Sequence, residues 1–75
     1  MDTDLYRVLT LAVGEEPSED IKTRADQAKV AAIRLRGRTL ALAPDVYETL
    51  QHPPKIYGLG VEVDVDLPEE MMEVR

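Results

Sequence analysis

Ile33-Arg34-Leu35-Arg36-Gly37-Arg38-Thr39-Leu40-Ala41-Leu42 is the stretch whose reading decides the fold. It reads as a β-hairpin with Gly37-Arg38 as a two-residue turn. Glycine suits the first position of a type II′ turn, where φ must be positive. In that register Arg36 faces Thr39, Leu35 faces Leu40, Arg34 faces Ala41 and Ile33 faces Leu42. Two apolar pairs then share one face and the polar or small pairs share the other, an arrangement that a one-residue slip would destroy.

Downstream, Tyr57–Val65 reads as a strand. Tyr57, Leu59, Val61, Val63 and Val65 alternate with Gly58, Gly60, Glu62 and Asp64, and Asp66 follows in phase. Leu67-Pro68-Glu69-Glu70 is a turn, and Met71–Val74 suits a last short strand. Between hairpin and long strand, Pro44 fits the first position of a short helix over Asp45–Gln51, with Val46, Tyr47 and Leu50 on one side and Pro53-Pro54 beyond its end.

Upstream, Asp2–Val13 fits two patterns. Leu5, Val8, Leu9 and Ala12 form a helical stripe, with Asp2 or Thr3 as N-cap and Gly14 as the stop. Leu5, Leu9, Leu11 and Val13 also fit a strand, but Arg7 then falls on the inner face. The caps favour the helix. Ser18 suits the N-cap of a second helix over Ser18–Lys29, with Ile21, Ala25, Ala28 and Ala32 as a narrow apolar face and Asp20 four residues before Arg24.

The expected fold class is α+β. Residues 1–75 form one small domain, a small antiparallel sheet of three or four strands including the central hairpin, packed by two or three short helices. The expected core is Leu5, Val8, Leu9, Ile21, Ala25, Ala28, Ile33, Leu35, Leu40, Leu42, Val46, Leu50, Leu59, Val61, Val63 and Val65. A chain this short buries only about 60% of its unfolded surface. With no Phe, Trp or Cys, neither large aromatics, disulfides nor thiolate metal sites supplement that core, and self-association becomes a serious route to stability.

Charge is segregated. Lys22, Arg24, Lys29, Arg34, Arg36 and Arg38 share their segment with one acid, Asp26, while the rest of the chain is strongly acidic and the net charge is −6. One reading is a basic patch for nucleic acid, in a crude winged-helix layout with arginines at the hairpin tip. The plainer reading is internal neutralisation: Arg34 and Arg36 on the hairpin would lie beside Glu62, Asp64 and Asp66 on the long strand, each cross-strand pair contributing about 0.2–1 kcal/mol. No aromatic is interleaved with the basic residues, so no stacking platform is visible. The acidic row suits a solvated or partner-facing surface better than a metal, because same-face strand positions lie about 6.6 Å apart.

No catalytic set, metal site or cofactor motif is expected. His52, the only histidine, sits at a helix C-terminus, and Ser18, the only serine, reads as a cap. Gly58-x-Gly60 lies in a strand pattern without the rest of a dinucleotide fingerprint. Tyr47, Tyr57 and Pro53-Pro54 suit a small satellite cluster or a partner-facing surface, and Met71 and Met72 an adaptable edge. No apolar run approaches the roughly 18 residues of a membrane span, and Met-Asp-Thr-Asp lacks signal-peptide features.

Pro44-Asp45-Val46-Tyr47-Glu48-x-Leu50, Tyr57-Gly58-x-x-Val61-x-Val63 and Leu67-Pro68-Glu69 together resemble a pattern in small uncharacterised proteins of bacteriophages and prophages. The resemblance covers the C-terminal half and implies a virion, assembly or host-interaction role, with a cytoplasmic or virion-associated location. The small core, the segregated charges, the edge strands and the lack of a catalytic set make a non-enzymatic interaction or structural module the function expected first, self-associating as a homo-oligomer or else partnering another protein. Nucleic-acid binding through the basic 22–38 segment is second, and an acidic inhibitor of a host protein acting through Glu62, Asp64 and Asp66 is third.

Overall fold

The computed structural model describes residues 4–75. The N-terminal helix is α1, Leu5–Ala12. Its cap is Asp4, whose carboxylate accepts from the Tyr6 and Arg7 N–H groups at 3.0 and 3.3 Å; the expected caps Asp2 and Thr3 lie outside the described residues. Gly14 ends it as anticipated. With φ +80 it closes a Schellman motif, the Gly14 N–H donating to the Leu11 carbonyl and the Glu15 N–H to that of Thr10.

The second helix corrects the opening expectation. α2 spans Ile21–Arg34, so Ile33 and Arg34 are helical and no hairpin forms over residues 33–42. Ala28, Ala31, Ala32 and Leu35 recur at helical spacing, and all four are buried against Leu9 and Leu59. Leu35 satisfied the hairpin pattern and the helical stripe equally, and the Ala-rich run decided for helix. Gly37 does take positive φ, +88, but it turns the chain out of α2, with the Arg38 N–H donating to Leu35. The cap is Asp20 rather than Ser18; Ser18 instead accepts from the Asp20 N–H at 3.1 Å.

β1, Thr39–Leu42, leads directly into α3, Pro44–Thr49, with Pro44 in the first turn as expected. Of the expected Tyr57–Val65 strand only Leu59–Val63 forms, as β3, and an unanticipated two-residue strand, β2 (Lys55–Ile56), precedes it. Ile56 pairs with Leu59, so Tyr57-Gly58 is the two-residue turn, with φ +50 and +82. Positive φ at both positions is the type I′ pattern. The chain does contain a tight hairpin, then, 20 residues after the expected turn at Gly37. β4, Met72–Val74, completes the sheet.

The α+β class holds: among the described residues three helices accompany a four-stranded sheet in the order β2-β3-β1-β4. The sheet is mixed rather than antiparallel throughout, because β1 and β3 run parallel, joined by the crossover that contains α3. Helices cover one face. Leu40 and Leu42 pack there with Ala43, Val46 and Met72, and Leu9 packs with the α2 alanines and Leu59. Full burial of each such leucine stabilises by about 1.5–3 kcal/mol. Ile21, Ile33, Leu50, Val63 and Val65, all expected inside, are 72%, 63%, 44%, 42% and 80% exposed. Ala31, Ala41, Ala43 and Met72 hold core positions absent from the expected core, and buried Thr10 satisfies its hydroxyl by donating to the Tyr6 carbonyl at 2.7 Å.

Candidate functional site

The basic segment does not stay together. Arg24 turns inward: its guanidinium meets Asp4 at 2.6 Å and donates through Nε to the Ser18 carbonyl at 2.8 Å, tying the start of α1 to the loop before α2. The expected pairing of Arg24 with Asp20 gives way because Asp20 is committed to Thr23. Burial raises the Asp4 pKa, but the Arg24 hydrogen bond, the Arg7 and Tyr6 N–H groups and the Arg24 charge outweigh it and hold the carboxyl below its usual range. Arg34 pairs with Glu15 at 2.9 Å, and Arg38 Nε donates to the Arg75 carbonyl at 2.8 Å.

The acidic row is neutralised from an unexpected direction. Arg34, at the end of α2, pairs with Glu15, and among the described residues neither it nor Arg36 pairs with Glu62, Asp64 or Asp66. Arg75 instead spreads one guanidinium over Glu62, Asp64 and Glu73 on the open face of the sheet. Ala41 lies in register between Glu62 and Glu73 and is fully buried. The Arg75 hydrogen bond, followed by the Asp66 N–H, holds the Asp64 carboxyl low, and Asp64 together with Glu73 raises Arg75. Asp66 does not join this group; its N–H closes a turn onto Asp64 at 2.9 Å.

His52 meets Glu48 at 2.9 Å and stacks on Tyr47 with centroids 4.8 Å apart. Tyr57 packs edge-on against Tyr6 at 6.3 Å, so the two tyrosines flanking Pro53-Pro54 belong to separate contacts.

Two open surfaces bear on function. The first is the β4 edge of the sheet. Thr39 and Arg75 exchange both backbone hydrogen bonds, at 3.0 and 2.7 Å, and the Ala43 N–H donates to the Met71 carbonyl. Residues 71, 73 and 75 therefore face β1, and strand alternation directs the backbone N–H and C=O of Met72 and Val74 outward. Beside this edge runs a groove of about 320 Å³, lined by Val8, Leu11, Ala12, Met72, Glu73 and Val74. Leu11 is 47% exposed there. The opposite edge, β2, is only Lys55–Ile56 and follows Pro53-Pro54, features that blunt an edge.

The second surface is a cleft of about 260 Å³ between α2 and the β2–β3 turn, lined by Lys29, Ala32, Ile33, Arg36, Tyr57 and Gly58. Neither Lys29 nor Arg36 has a carboxylate within 4.0 Å among the described residues. Tyr57 occupies a turn position where Asn, Asp or Gly is preferred, at a cost of about 1–2 kcal/mol for its left-handed backbone. The sequence showed no aromatic among the basic residues, and the fold supplies one from a distant turn.

Among the described residues no helix is long and apolar enough to cross a membrane. No family model, curated protein or solved structure matches this chain.

Proposed function

We propose that this chain is a non-enzymatic interaction module that self-associates, strand against strand, along β4. The observation that carries this reading is the outward-directed backbone of the partly exposed Val74 beside the apolar Val8–Leu11–Ala12 groove. An exposed edge of this kind is a template for another strand.

Charge favours a second copy as the occupant. Glu73, in β4, and Arg75, just past its end, lie two positions apart and pair within one copy at 2.6 Å. Antiparallel pairing about a two-fold axis at Val74 sets each Glu73 opposite the other copy's Arg75, and brings the two Leu11 side chains toward one interface. Such a contact is isologous and closes as a dimer. Cross-strand charge pairs contribute about 0.2–1 kcal/mol each and each new hydrogen bond about 1 kcal/mol. Against the cost of association this gives a weak dimer, on the order of 10–1,000 μM. The expected head-to-tail docking of oppositely charged surfaces is less well supported, because Arg24 and Arg34 are engaged within the fold.

Sedimentation or light scattering up to about 1 mM protein tests the proposal. The native chain is expected to dimerise with rising concentration. Leu11→Arg, at an exposed position, and Val74→Pro, which removes an outward N–H without a bond to β1, are expected to remain monomeric with native circular dichroism. A native chain monomeric throughout that range, or variants that dimerise equally, would refute it.

A further inference from the structure

We propose that the cleft framed by Lys29, Arg36 and Tyr57 binds a nucleoside phosphate, either free or as a unit of single-stranded nucleic acid. The phosphate sits between Lys29 and Arg36, and the base lies against Tyr57 and Ile33.

Three independent features converge on this chemistry. First, the two cations reach one cavity from the middle of α2 and from just past its end, and neither is neutralised by a carboxylate among the described residues. Arg24, Arg34 and Arg75 show that this fold does pair its arginines with carboxylates elsewhere. Two cations aimed at one space suit a doubly charged phosphate, with the guanidinium able to bind two of its oxygens.

Second, a large aromatic occupies a left-handed turn position that favours a small polar residue. Turn chemistry does not explain Tyr57. Its edge-on packing against Tyr6 anchors the ring, and 40% of the residue remains exposed at the cleft. Strain held in place by neighbouring packing is characteristic of binding positions. Third, Ile33, also lining the cleft, is 63% exposed and presents an open apolar surface there. Tyrosine and isoleucine walls suit a flat, sequence-unspecified base, as in single-strand recognition.

Size and charge narrow the ligand. At about 260 Å³ the cleft falls just below the range of about 300–1,000 Å³ typical of drug-sized sites, so it takes one nucleotide unit rather than an enclosed dinucleotide. A net charge of −6 opposes duplex nucleic acid, whose binding rests on many phosphate contacts. The cleft lies at the β2–β3 side of the sheet, away from β4, so this proposal is independent of self-association.

The test is amide chemical-shift titration of the native chain with adenosine 5′-monophosphate, adenosine, inorganic phosphate, a single-stranded oligonucleotide and its duplex. The monophosphate is expected to shift Ile33, Arg36 and Gly58 amides saturably. Lys29→Gln and Arg36→Gln are each expected to weaken binding about tenfold. Tyr57→Asn, which suits the turn backbone while removing the ring, is expected to weaken it by at least about fivefold. A single strand binding more tightly than the monophosphate identifies a polymer as the source of the unit, and equal affinity identifies a free nucleotide; both support the proposal. Adenosine or inorganic phosphate binding as tightly as the monophosphate overturns it, as does preference for duplex. Absence of shifts at about 10 mM ligand also overturns it.

Discussion

Leu40→Ala and Ile33→Ala form a pair whose contrast tests the fold. A hairpin over residues 33–42 would bury both side chains on one face. In the structure Leu40 is fully buried in β1, whereas Ile33 is 63% exposed on α2. Truncating Leu40 removes a side chain packed with Leu42, Val46 and Met72 in a core closed by helices and sheet, so relaxation is limited. The expected loss is about 3–5 kcal/mol, from transfer plus cavity. A domain of 75 residues has about 4–11 kcal/mol in total, so this variant sits near the folding threshold. Truncating Ile33 removes little buried surface, and alanine is the better helix former by about 0.4 kcal/mol, so the change stays within about 0.5 kcal/mol of zero. Urea unfolding followed by far-ultraviolet circular dichroism measures both. With a slope of about 1 kcal/mol per molar, the Leu40 midpoint falls by about 3 M or more and the Ile33 midpoint hardly moves. A loss above about 2 kcal/mol for Ile33→Ala, comparable with that for Leu40→Ala, would refute the helical assignment and restore the hairpin.

Two further outcomes follow from local geometry. Asp4, whose carboxyl is held below its unfolded value near 3.9, contributes stability above that pH and loses it as pH falls through the lower folded value. Asp4→Asn keeps a competent cap but loses the Arg24 ion pair. It is expected to be less stable by about 0.5–1 kcal/mol at neutral pH and equal to the native chain near pH 2, read from urea midpoints across the pH range. Gln51 holds the left-handed position that closes α3, with φ +63 and the His52 N–H donating to the Tyr47 carbonyl. Gln51→Gly is expected to raise stability by about 0.5–1 kcal/mol in thermal or urea unfolding, and destabilisation would contradict that backbone.

What the sequence by itself determined is what neighbouring residues control. Gly14 stops α1 and Pro44 starts α3 because a positive φ or a missing N–H acts within one turn. The alternation of Leu59, Val61 and Val63 marks a strand because pleating depends only on the next residue. Tertiary structure decided the choices that local pattern leaves degenerate. Leu35 completes a hairpin face or a helical stripe equally well, and only the docking of Ala28, Ala31 and Ala32 against Leu9 resolves it. Once α2 claims Ile33 and Arg34, β1 has no hairpin partner and pairs with β3 in parallel. The candidate sites were legible only in part. Lys29 and Arg36 stand out as basic in the sequence, but which cations find carboxylates depends on contacts up to 20 residues apart, such as Arg24 with Asp4. Tyr57 reaches their cleft from a turn 21 residues beyond Arg36. The outward phase of Met72 and Val74 likewise exists only once Arg75 is paired with Thr39. Backbone rules operate over a few residues, whereas burial, ion pairing and open edges are properties of which surfaces meet.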